Sequence, residues 1–265
     1  MIMDRKIVYV GIDTLFQSLP ALVKAGCRVC EIVSCPVDNE TEFNLRTCAF
    51  AGDNQIPLLI GRIMREDVER WKRAGIDALI CCGYYYRIPL DEKLPMVNIH
   101  PSLLPEGRGA WPMPVTLLKG LRESGITIHK ITEGFDEGDI LLQKAVPVMP
   151  DDTLQILTAR LQTLLPDMMA ELASDFCRLY AMARPQGEGE YWPCPKETDY
   201  PVVSDMDVSE ADRILRAFYG YECIYRNGDE IYGVMEGRAY PAVYEKKNGL
   251  PVCGGTIVAK RVRKL

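Results

Sequence analysis

The chain has 265 residues, a length that predicts one large domain or two unequal ones. Its 48% hydrophobic and 26% charged residues are typical of a globular protein and exclude the disordered, collagen-like and coiled-coil classes. A formal net charge of -6 gives no support for a polyanionic partner.

Strand-like and helix-like patterns alternate through the first part of the chain. The predicted strands cover residues 7–12, 29–34, 56–59, 78–82, 96–100, 126–132 and 140–148, and the predicted helices cover residues 15–25, 65–74, a segment ending near 120, and 152–183. Residues 36–55 are predicted to form an irregular loop. Strands separated by helices predict an α/β fold, with a Rossmann-like, mostly parallel sheet and helices on both faces.

The last third of the chain has a different pattern. Residues 184–207 are rich in Pro, Gly and charged residues, which is typical of a linker. A short amphipathic helix with Ser209 as its N-cap follows, and then short strands joined by Asn-Gly-Asp and Asn-Gly-Leu turns. We therefore predict a large domain at 1–183, a linker at 184–207 and a small β-rich C-terminal domain at 208–265.

The sequence also bears on the compartment and on metals. It has no cleavage signature and no apolar stretch of membrane-spanning length. We therefore expect a cytoplasmic protein that has no membrane partner. Most of its 10 cysteines lie in apolar strand-like runs, which favours a reducing compartment. Cys27, Cys30 and Cys35 have the spacing of metal ligands, but only 2 histidines are available, and we predict no metal site.

Nucleotide-binding signatures are missing from the expected place. The turn after the first strand contains one glycine, Gly11, whereas a dinucleotide fold needs several closely spaced glycines for backbone approach to a pyrophosphate. A Walker-type phosphate loop is also absent from the sequence. A nicotinamide dehydrogenase is therefore disfavoured.

Polar residues at the end of one predicted strand indicate a site. Asn98 and His100 lie two residues apart, so their side chains share a face at the edge where open α/β sheets place active sites. Downstream, Gly134 and Gly138 bracket Asp136 and would permit unusual backbone geometry around a carboxylate. An amide donor, an imidazole and a carboxylate together suit acyl transfer.

Other polar residues nearby receive different interpretations. Ser102, Arg108 and Gly109 belong to a Pro/Gly-rich loop that follows the strand, and we predict that they bind the substrate. His129 lies within a predicted strand, and its position favours a core or edge histidine. Whether His129 contacts the substrate stays open.

At this point the sequence resembles the folate-dependent N-formyltransferases, which include enzymes acting on methionyl-tRNA, glycinamide ribonucleotide and amino sugars. The family signature Asn-x-His-x-Ser-Leu-Leu-Pro is present at residues 98–105, and Asp-x-Gly-Asp is present at residues 136–139. The resemblance extends over roughly residues 5–183, and more faintly into the tail, which looks like a truncated formyltransferase C-terminal domain.

The resemblance implies 10-formyltetrahydrofolate as the formyl donor and no metal. It implies that Asn98 donates to the formyl oxygen, that His100 stabilises charge and moves a proton, and that Asp136 orients His100 or a water molecule. The implied folate-binding residues line the strand end and two loops: Gly83, Tyr86, Arg87, Ile88, Pro89, Leu104, Gly134 and Phe135.

The acceptor amine is less well determined than the reaction. In the tRNA-directed members the loop after the second strand is long and basic, because it contacts a phosphate backbone. Here that loop has one basic residue, Arg46, against four acidic ones: Asp38, Glu40, Glu42 and Asp53. From Arg184 onward, 12 Lys and Arg stand against 13 Asp and Glu, and only the hexapeptide 260–265 is basic. We interpret that hexapeptide as a solvated terminus.

The preferred acceptor is therefore a small-molecule amine, such as a nucleotide-linked amino sugar, with methionyl-tRNA as the alternative. Two further alternatives remain: hydrolysis of formyltetrahydrofolate to formate, and a folate-binding module without turnover. The oligomeric state is not predicted.

Overall fold

The computed structural model of the protein describes residues 5–241 and 249–265. The chain forms two compact units, and it passes between them several times. The first unit includes the chain up to Arg108, Gly125–Val146 and Arg160–Glu190, and the second includes Gly109–Ser124, Pro147–Ala159 and the chain from Tyr191 onward. The consecutive domains bounded at residues 183 and 207 stay a prediction.

A seven-stranded sheet confirms the predicted α/β fold. Its strands are β1 (Arg5–Gly11), β2 (Cys27–Ser34), β3 (Leu58–Ile60), β4 (Ala78–Cys82), β5 (Met96–His100), β6 (Glu123–Lys130) and β7 (Ile140–Pro147). They lie in the order β3-β2-β1-β4-β5-β6-β7. The pairs β1 with β2, β1 with β4, β2 with β3 and β4 with β5 are parallel, and β6 runs antiparallel to β5.

The helices in the described part of the chain are α1 (Ser18–Lys24), α2 (Leu45–Asp53), α3 (Arg65–Arg73), α4 (Pro112–Leu118), α5 (Leu154–Gln162), α6 (Leu165–Ala181) and α7 (Val208–Ala217). Within residues 5–241 and 249–265, no helix has the length and apolar character needed to cross a bilayer. The predicted helix at 65–74 is confirmed almost to the residue.

Helices cover both faces of the sheet at β1. Val8 and Val10 belong to one hydrophobic cluster with Trp71 of α3. Tyr9 points to the opposite face because side chains alternate along a strand. Its hydroxyl lies 2.9 Å from the hydroxyl of Ser18 in α1. The predicted arrangement of helices on both faces is therefore confirmed.

Helix α2 lies inside the segment that was predicted to be an irregular loop, so that prediction is wrong. The helix begins without a side-chain cap from its own N-cap residue. Instead the Asp13 carboxylate accepts hydrogen bonds from the backbone nitrogens of Arg46 and Thr47, each at 2.9 Å. The group that satisfies this helix terminus is more than 30 residues away in sequence, and a local pattern does not reveal it.

The single long helix predicted over residues 152–183 is two helices, α5 and α6. Pro166 is the second residue of α6. Proline lacks a backbone N–H and its ring clashes with the carbonyl four residues earlier, so a continuous helix through this point is disfavoured. The apolar periodicity continues across the break, which explains why the sequence suggested one helix.

The second unit contains a five-stranded sheet, which confirms the predicted β-rich appendage. Its strands are β8 (Val202–Val203), β9 (Glu222–Asn227), β10 (Glu230–Tyr240), β11 (Leu250–Val252) and β12 (Gly255–Lys264), in the order β11-β12-β10-β9-β8. The predicted Asn-Gly-Asp turn joins β9 to β10, with Gly228 in the left-handed region at φ 57°. Asn248, which starts the second predicted turn, lies outside the described residues.

The N-cap of α7 differs from the prediction by two positions. The Asp207 carboxylate accepts a hydrogen bond from the Ser209 backbone nitrogen at 2.8 Å. Asp207 is therefore the N-cap, and the prediction of Ser209 is wrong. Both residues are good caps, so only the backbone conformation distinguishes them.

The basic hexapeptide is exposed to solvent, as expected, but it is not an irregular tail, because residues 260–264 belong to β12 and residues 261–264 pair with β10. Three of its cations lie beside carboxylates of the same sheet: Lys260 with Glu236, Arg263 with Glu222 and Lys264 with Glu230, at 3.2, 2.5 and 2.6 Å. Exposed pairs of this kind add little stability. Their consequence is that much of the positive charge of β12 is already balanced.

Candidate active site

The candidate site begins at the carboxyl end of β5. Asn98 and His100 project to one face of this strand, with Asn98 half-buried and His100 only 4% exposed. Strand β5 lies between β4 and β6, so the strand that carries both residues has a neighbouring strand on each side. The strand ends at His100, before Pro101, which places the pair at the edge of the sheet.

Asp136 lies beside both of these residues. The Asn98 Nδ2 donates a hydrogen bond to the Asp136 Oδ1 at 3.2 Å. The same carboxylate oxygen lies 3.6 Å from the His100 Nδ1. The structure therefore brings together the three residues that were predicted to be catalytic, although they are separated by 38 positions in sequence.

The backbone of the Asp136 loop differs in detail from the expectation. The left-handed conformation lies at Asp136 itself, with φ 56°, and neither Gly134 nor Gly138 has a positive φ. Gly138 is required for a different reason, because a Cβ there would overlap the carbonyl oxygen of Lys130. The loop closes where the Lys130 backbone nitrogen donates to the Asp139 carbonyl at 2.9 Å. The carboxylate is thus carried by a strained residue in a closely packed loop.

The surroundings of His100 favour its neutral ring, and one of the two ring nitrogens already has a hydrogen-bond partner. Burial lowers its pKa below the ordinary value of 6.5, the Asp136 carboxylate raises it, and His129 lowers it. The Nε2 lies 2.8 Å from the Gly107 carbonyl, to which only an N–H can donate. In the neutral ring the unprotonated Nδ1 therefore faces the Asp136 carboxylate. That contact becomes a hydrogen bond when a proton is placed between the two atoms, which suits proton transfer.

A fourth polar side chain at the site is His129. It is buried within β6, as expected for a core histidine, and it also lies beside the residues predicted to be catalytic. His129 lies on β6 directly opposite Asn98 on β5. Its Nε2 is 3.2 Å from the Asn98 Nδ2 and 3.4 Å from the Asp136 Oδ1. Its Nδ1 is 2.8 Å from the Lys130 carbonyl. Only the register of β6 against β5 reveals this neighbour, and register is not visible in one strand alone.

The implied folate-binding residues fall into two groups. Arg87 lies with its guanidinium 4.9 Å from the centre of the exposed Phe135 ring, so the structure brings these two together. The Tyr86 ring contacts Tyr84, and the guanidinium of Arg62 lies 4.6 Å from its centre. Sequence reasoning missed Arg62, which follows β3 and has no motif around it.

The remaining residues of that set are notable for their backbone conformation or for their packed side chains. Gly83 follows β4 in the left-handed region, at φ 81°. Ile88 packs against the hydrophobic cluster beneath α3, and Leu104 is only 2% exposed. Pro89 is half-buried. Gly134 lies against the Glu137 side chain, which occupies the space that a Cβ would need.

The residues predicted to bind substrate have contacts of their own. The buried Ser102 hydroxyl donates to the Glu106 carbonyl at 2.9 Å. This hydrogen bond joins two residues of the loop that follows β5. Arg108 donates to the side chain of Gln186. Gly109 belongs to the second unit, where its φ is 119° and a Cβ would overlap the Trp192 carbonyl. Their roles in substrate binding stay predictions.

The sequence matches a known family over its central part. Residues 64–172 match the formyl transferase family. A methionyl-tRNA formyltransferase from Ehrlichia ruminantium (strain Welgevonden) is 32% identical over 170 residues, which make up 63% of this chain and 55% of the relative. The chain therefore spans only about half the length of this relative.

Two solved structures are also similar. One is WlaRD, a sugar 3N-formyl transferase crystallised in the presence of dTDP and 5-N-formyl-THF, with a TM-score of 0.66 and 18% sequence identity. The match covers 99% of this chain and 98% of the WlaRD chain. Glycinamide ribonucleotide transformylase 1 from Symbiobacterium toebii has a TM-score of 0.56 and 26% identity, covering 66% of this chain and 88% of its own. The shared feature is the α/β fold that carries the site.

Proposed function

From the match of residues 64–172 to the formyl transferase family and from the sequence motifs at residues 98–105 and 136–139, we propose that this chain transfers a formyl group from 10-formyltetrahydrofolate to the amine of a small molecule. The observation that carries the proposal is the convergence of Asn98, His100 and Asp136 at one sheet edge. An amide donor beside a buried neutral imidazole and a carboxylate is the arrangement that acyl transfer to an amine needs.

Each of the three residues receives a distinct role. The Asn98 Nδ2 donates to the formyl oxygen, on which negative charge develops as the amine attacks. The neutral His100 accepts the proton of the attacking amine at Nδ1, and the Asp136 carboxylate stabilises the resulting imidazolium. As the bond between the formyl carbon and the folate nitrogen breaks, that nitrogen takes up a proton and tetrahydrofolate leaves. His129, whose Nε2 lies beside the Asn98 amide, restrains the orientation of that amide. The acceptor amine must arrive neutral and close to the formyl carbon, so positioning supplies much of the rate.

Charge and aromatic surface near the site fit a folate. In the described part of the chain, neither Arg62 nor Arg87 has a carboxylate within ion-pair distance, and each guanidinium instead lies on an aromatic ring. A folate carries carboxylates that two such cations attract and a flat ring that packs between apolar side chains. When bound, 10-formyltetrahydrofolate supplies the activated formyl group.

The acceptor is proposed from charge. The Asp38 carboxylate accepts hydrogen bonds from the backbone nitrogens of Glu40, Thr41 and Glu42, so the loop after β2 is a compact acidic turn. The cations of β12 lie beside carboxylates. Neither surface is suited to a phosphate backbone, which favours a small amine. Methionyl-tRNA is the second candidate, because the relative from Ehrlichia ruminantium is named for that substrate.

The test of the function combines binding with turnover. We expect 5-formyltetrahydrofolate at 100 times its Kd to stabilise the protein by about 2.7 kcal/mol, seen as a rise in Tm. The same concentration of NADH is expected to leave Tm unchanged. With 10-formyltetrahydrofolate carrying a radiolabelled formyl group, label should enter a small amine in an amine screen.

Three outcomes would contradict this proposal. An unchanged Tm with the folate in a folded protein would remove the donor. Release of formate at the same rate with and without an amine would identify a hydrolase. Folate binding without transfer to any amine or to methionyl-tRNA would identify a binding module.

The choice between acceptors has its own test in the salt dependence of tRNA binding. A complex held by phosphate contacts weakens by roughly 0.7 to 0.9 log units per contact for each tenfold rise in salt. We expect weak binding of methionyl-tRNA and a nearly flat response in a filter-binding assay. The Arg261→Gln variant removes a cation of β12 whose guanidinium contacts the sulfur of Met235, and we expect no change in slope. Tight, salt-sensitive binding with formylation would establish methionyl-tRNA as the acceptor.

A further inference from the structure

One side chain outside the signature motifs joins the two loops of the candidate site. Gln186 is half-buried, and its Nε2 donates to the carbonyl oxygens of Asp136 and Gly138, at 2.8 and 2.6 Å. Its Oε1 accepts hydrogen bonds from the Nε and from one terminal nitrogen of Arg108, at 3.2 and 3.1 Å. Arg108 also donates to the Gly187 carbonyl at 2.9 Å. Both ends of the Gln186 amide are therefore used.

The two hydrogen bonds from Gln186 are made to the part of the Asp136 loop that has an unfavourable backbone conformation. Asp136 is in the left-handed region, at φ 56°, which a residue other than glycine adopts only when its surroundings impose it. Gln186 binds the carbonyl of this residue and the carbonyl two residues later. These bonds restrain the peptide group that follows Asp136 and the peptide group that follows Gly138, and they therefore restrain the backbone that directs the Asp136 side chain.

The second partner, Arg108, ties the same glutamine to the loop that follows β5. The backbone nitrogens of Gly107 and Arg108 are both 3.2 Å from the Glu190 carbonyl. The Gly107 carbonyl in turn receives the His100 Nε2. The segment around Gln186 therefore contacts the partner of His100 on one side and the backbone of Asp136 on the other.

We propose that Gln186 is a positioning residue, which sets the distance between the Asp136 carboxylate and the His100 ring by holding the Asp136 loop against the Arg108 loop. The expected effect of Gln186 on turnover rests on the proposed function. Its expected effect on the position of Asp136 relative to His100 does not. Small displacements matter here, because a misplacement of about 1 Å at a reacting group costs up to 10²-fold in rate.

The first test is kinetic and uses an uncharged variant of similar length, Gln186→Met. We expect kcat for formyl transfer to fall on the order of tenfold while KM for the folate stays unchanged. The matched control is Gln155→Met, because Gln155 is an exposed residue on α5. A wild-type kcat in Gln186→Met, with an intact fold, would overturn the proposal.

A second variant separates the two ends of the amide. Gln186→Glu keeps an acceptor for Arg108 but has no donor for the two carbonyls. We expect it to lose as much kcat as Gln186→Met. If it retains the wild-type kcat, the bonds to the Asp136 loop are not what matters, and the proposal fails.

The third test needs no turnover, and so it remains decisive if the proposed function is wrong. The chain contains only 2 histidines, so ¹³C-labelled histidine gives two NMR signals, which a His129→Gln variant assigns. The groups facing His100 are Asp136, the His129 ring and the Gly107 carbonyl. Removing the carboxylate in Asp136→Asn should lower the pKa of His100, because Asp136 raises it.

We expect Gln186→Met to lower the pKa of His100 at least halfway towards its value in Asp136→Asn. In the Asp136→Asn background, Gln186→Met should have no further effect, because the group through which it acts is gone. A His100 pKa equal to the wild type in a folded Gln186→Met protein would overturn the proposal, whatever the protein catalyses. A further fall in the double variant would also overturn it, because Gln186 would then act by another route.

Discussion

Replacing Asp136 with asparagine is expected to lower formyl transfer by on the order of 10²-fold or more while the fold is retained. The amide keeps the volume of the carboxylate but carries no negative charge to stabilise a protonated His100. Ala variants of Asn98 and His100 are expected to lose activity on the same scale, through loss of the donor to the formyl oxygen and of the proton acceptor. Initial rates with radiolabelled 10-formyltetrahydrofolate measure each loss.

The matched control for this substitution is Asp139→Asn. Asp139 lies three residues further along the same loop, and its carboxylate pairs with Lys130 at 3.0 Å at the surface. We expect this variant to retain nearly the wild-type rate. Wild-type rates in all three variants of Asn98, His100 and Asp136, with intact folds, would exclude the proposed mechanism.

The pH dependence of the same reaction gives a further readout. Because burial lowers the pKa of His100 below 6.5, the ring is neutral at pH 7, and activity should fall as the pH decreases through that lowered pKa. Asp136 raises the pKa of His100, so in Asp136→Asn the acid limb of the remaining activity should move to lower pH. A shift to higher pH would show that His100 is not the group observed.

The second large effect is expected from Gly138→Ala. A Cβ at this position would overlap the carbonyl oxygen and carbonyl carbon of Lys130, and both are backbone atoms that a rotamer change does not move. The loop that carries Asp136 must therefore shift. We expect a loss of stability of roughly 1 to 3 kcal/mol and a loss of activity on the order of 10- to 100-fold. Chemical denaturation and initial rates measure the two effects.

Gly52→Ala is the control for adding a methyl group to a glycine. Gly52 is an exposed residue of α2, and no atom lies within 4 Å of the position its Cβ would take. Alanine is the better helix former, so this variant should be equal in activity and slightly more stable, by about 0.5 to 1 kcal/mol. If Gly138→Ala behaves like this control, the close approach to Lys130 does not constrain the site.

The strands of the central sheet were the most predictable part of the fold. Ala78–Cys82 is apolar at every position and Met96–His100 is apolar except at Asn98 and His100, because a strand in the middle of a sheet covered by helices is buried on both faces. The break between α5 and α6 was not predicted, since apolar spacing continues through it. The N-terminus of α2 was not predicted either, because Asp13, from another part of the chain, satisfies it.

The strand that carries Asn98 and His100 and the glycine-flanked position of Asp136 are visible in the sequence, because side-chain alternation and glycine spacing are local properties. The contacts between their atoms come from packing. The register of β6 against β5 places His129 beside Asn98, and the return of the chain after α6 places Gln186 against the Asp136 loop. These contacts join residues tens of positions apart, and they depend on how strands and loops pack, which no local pattern of residue types records.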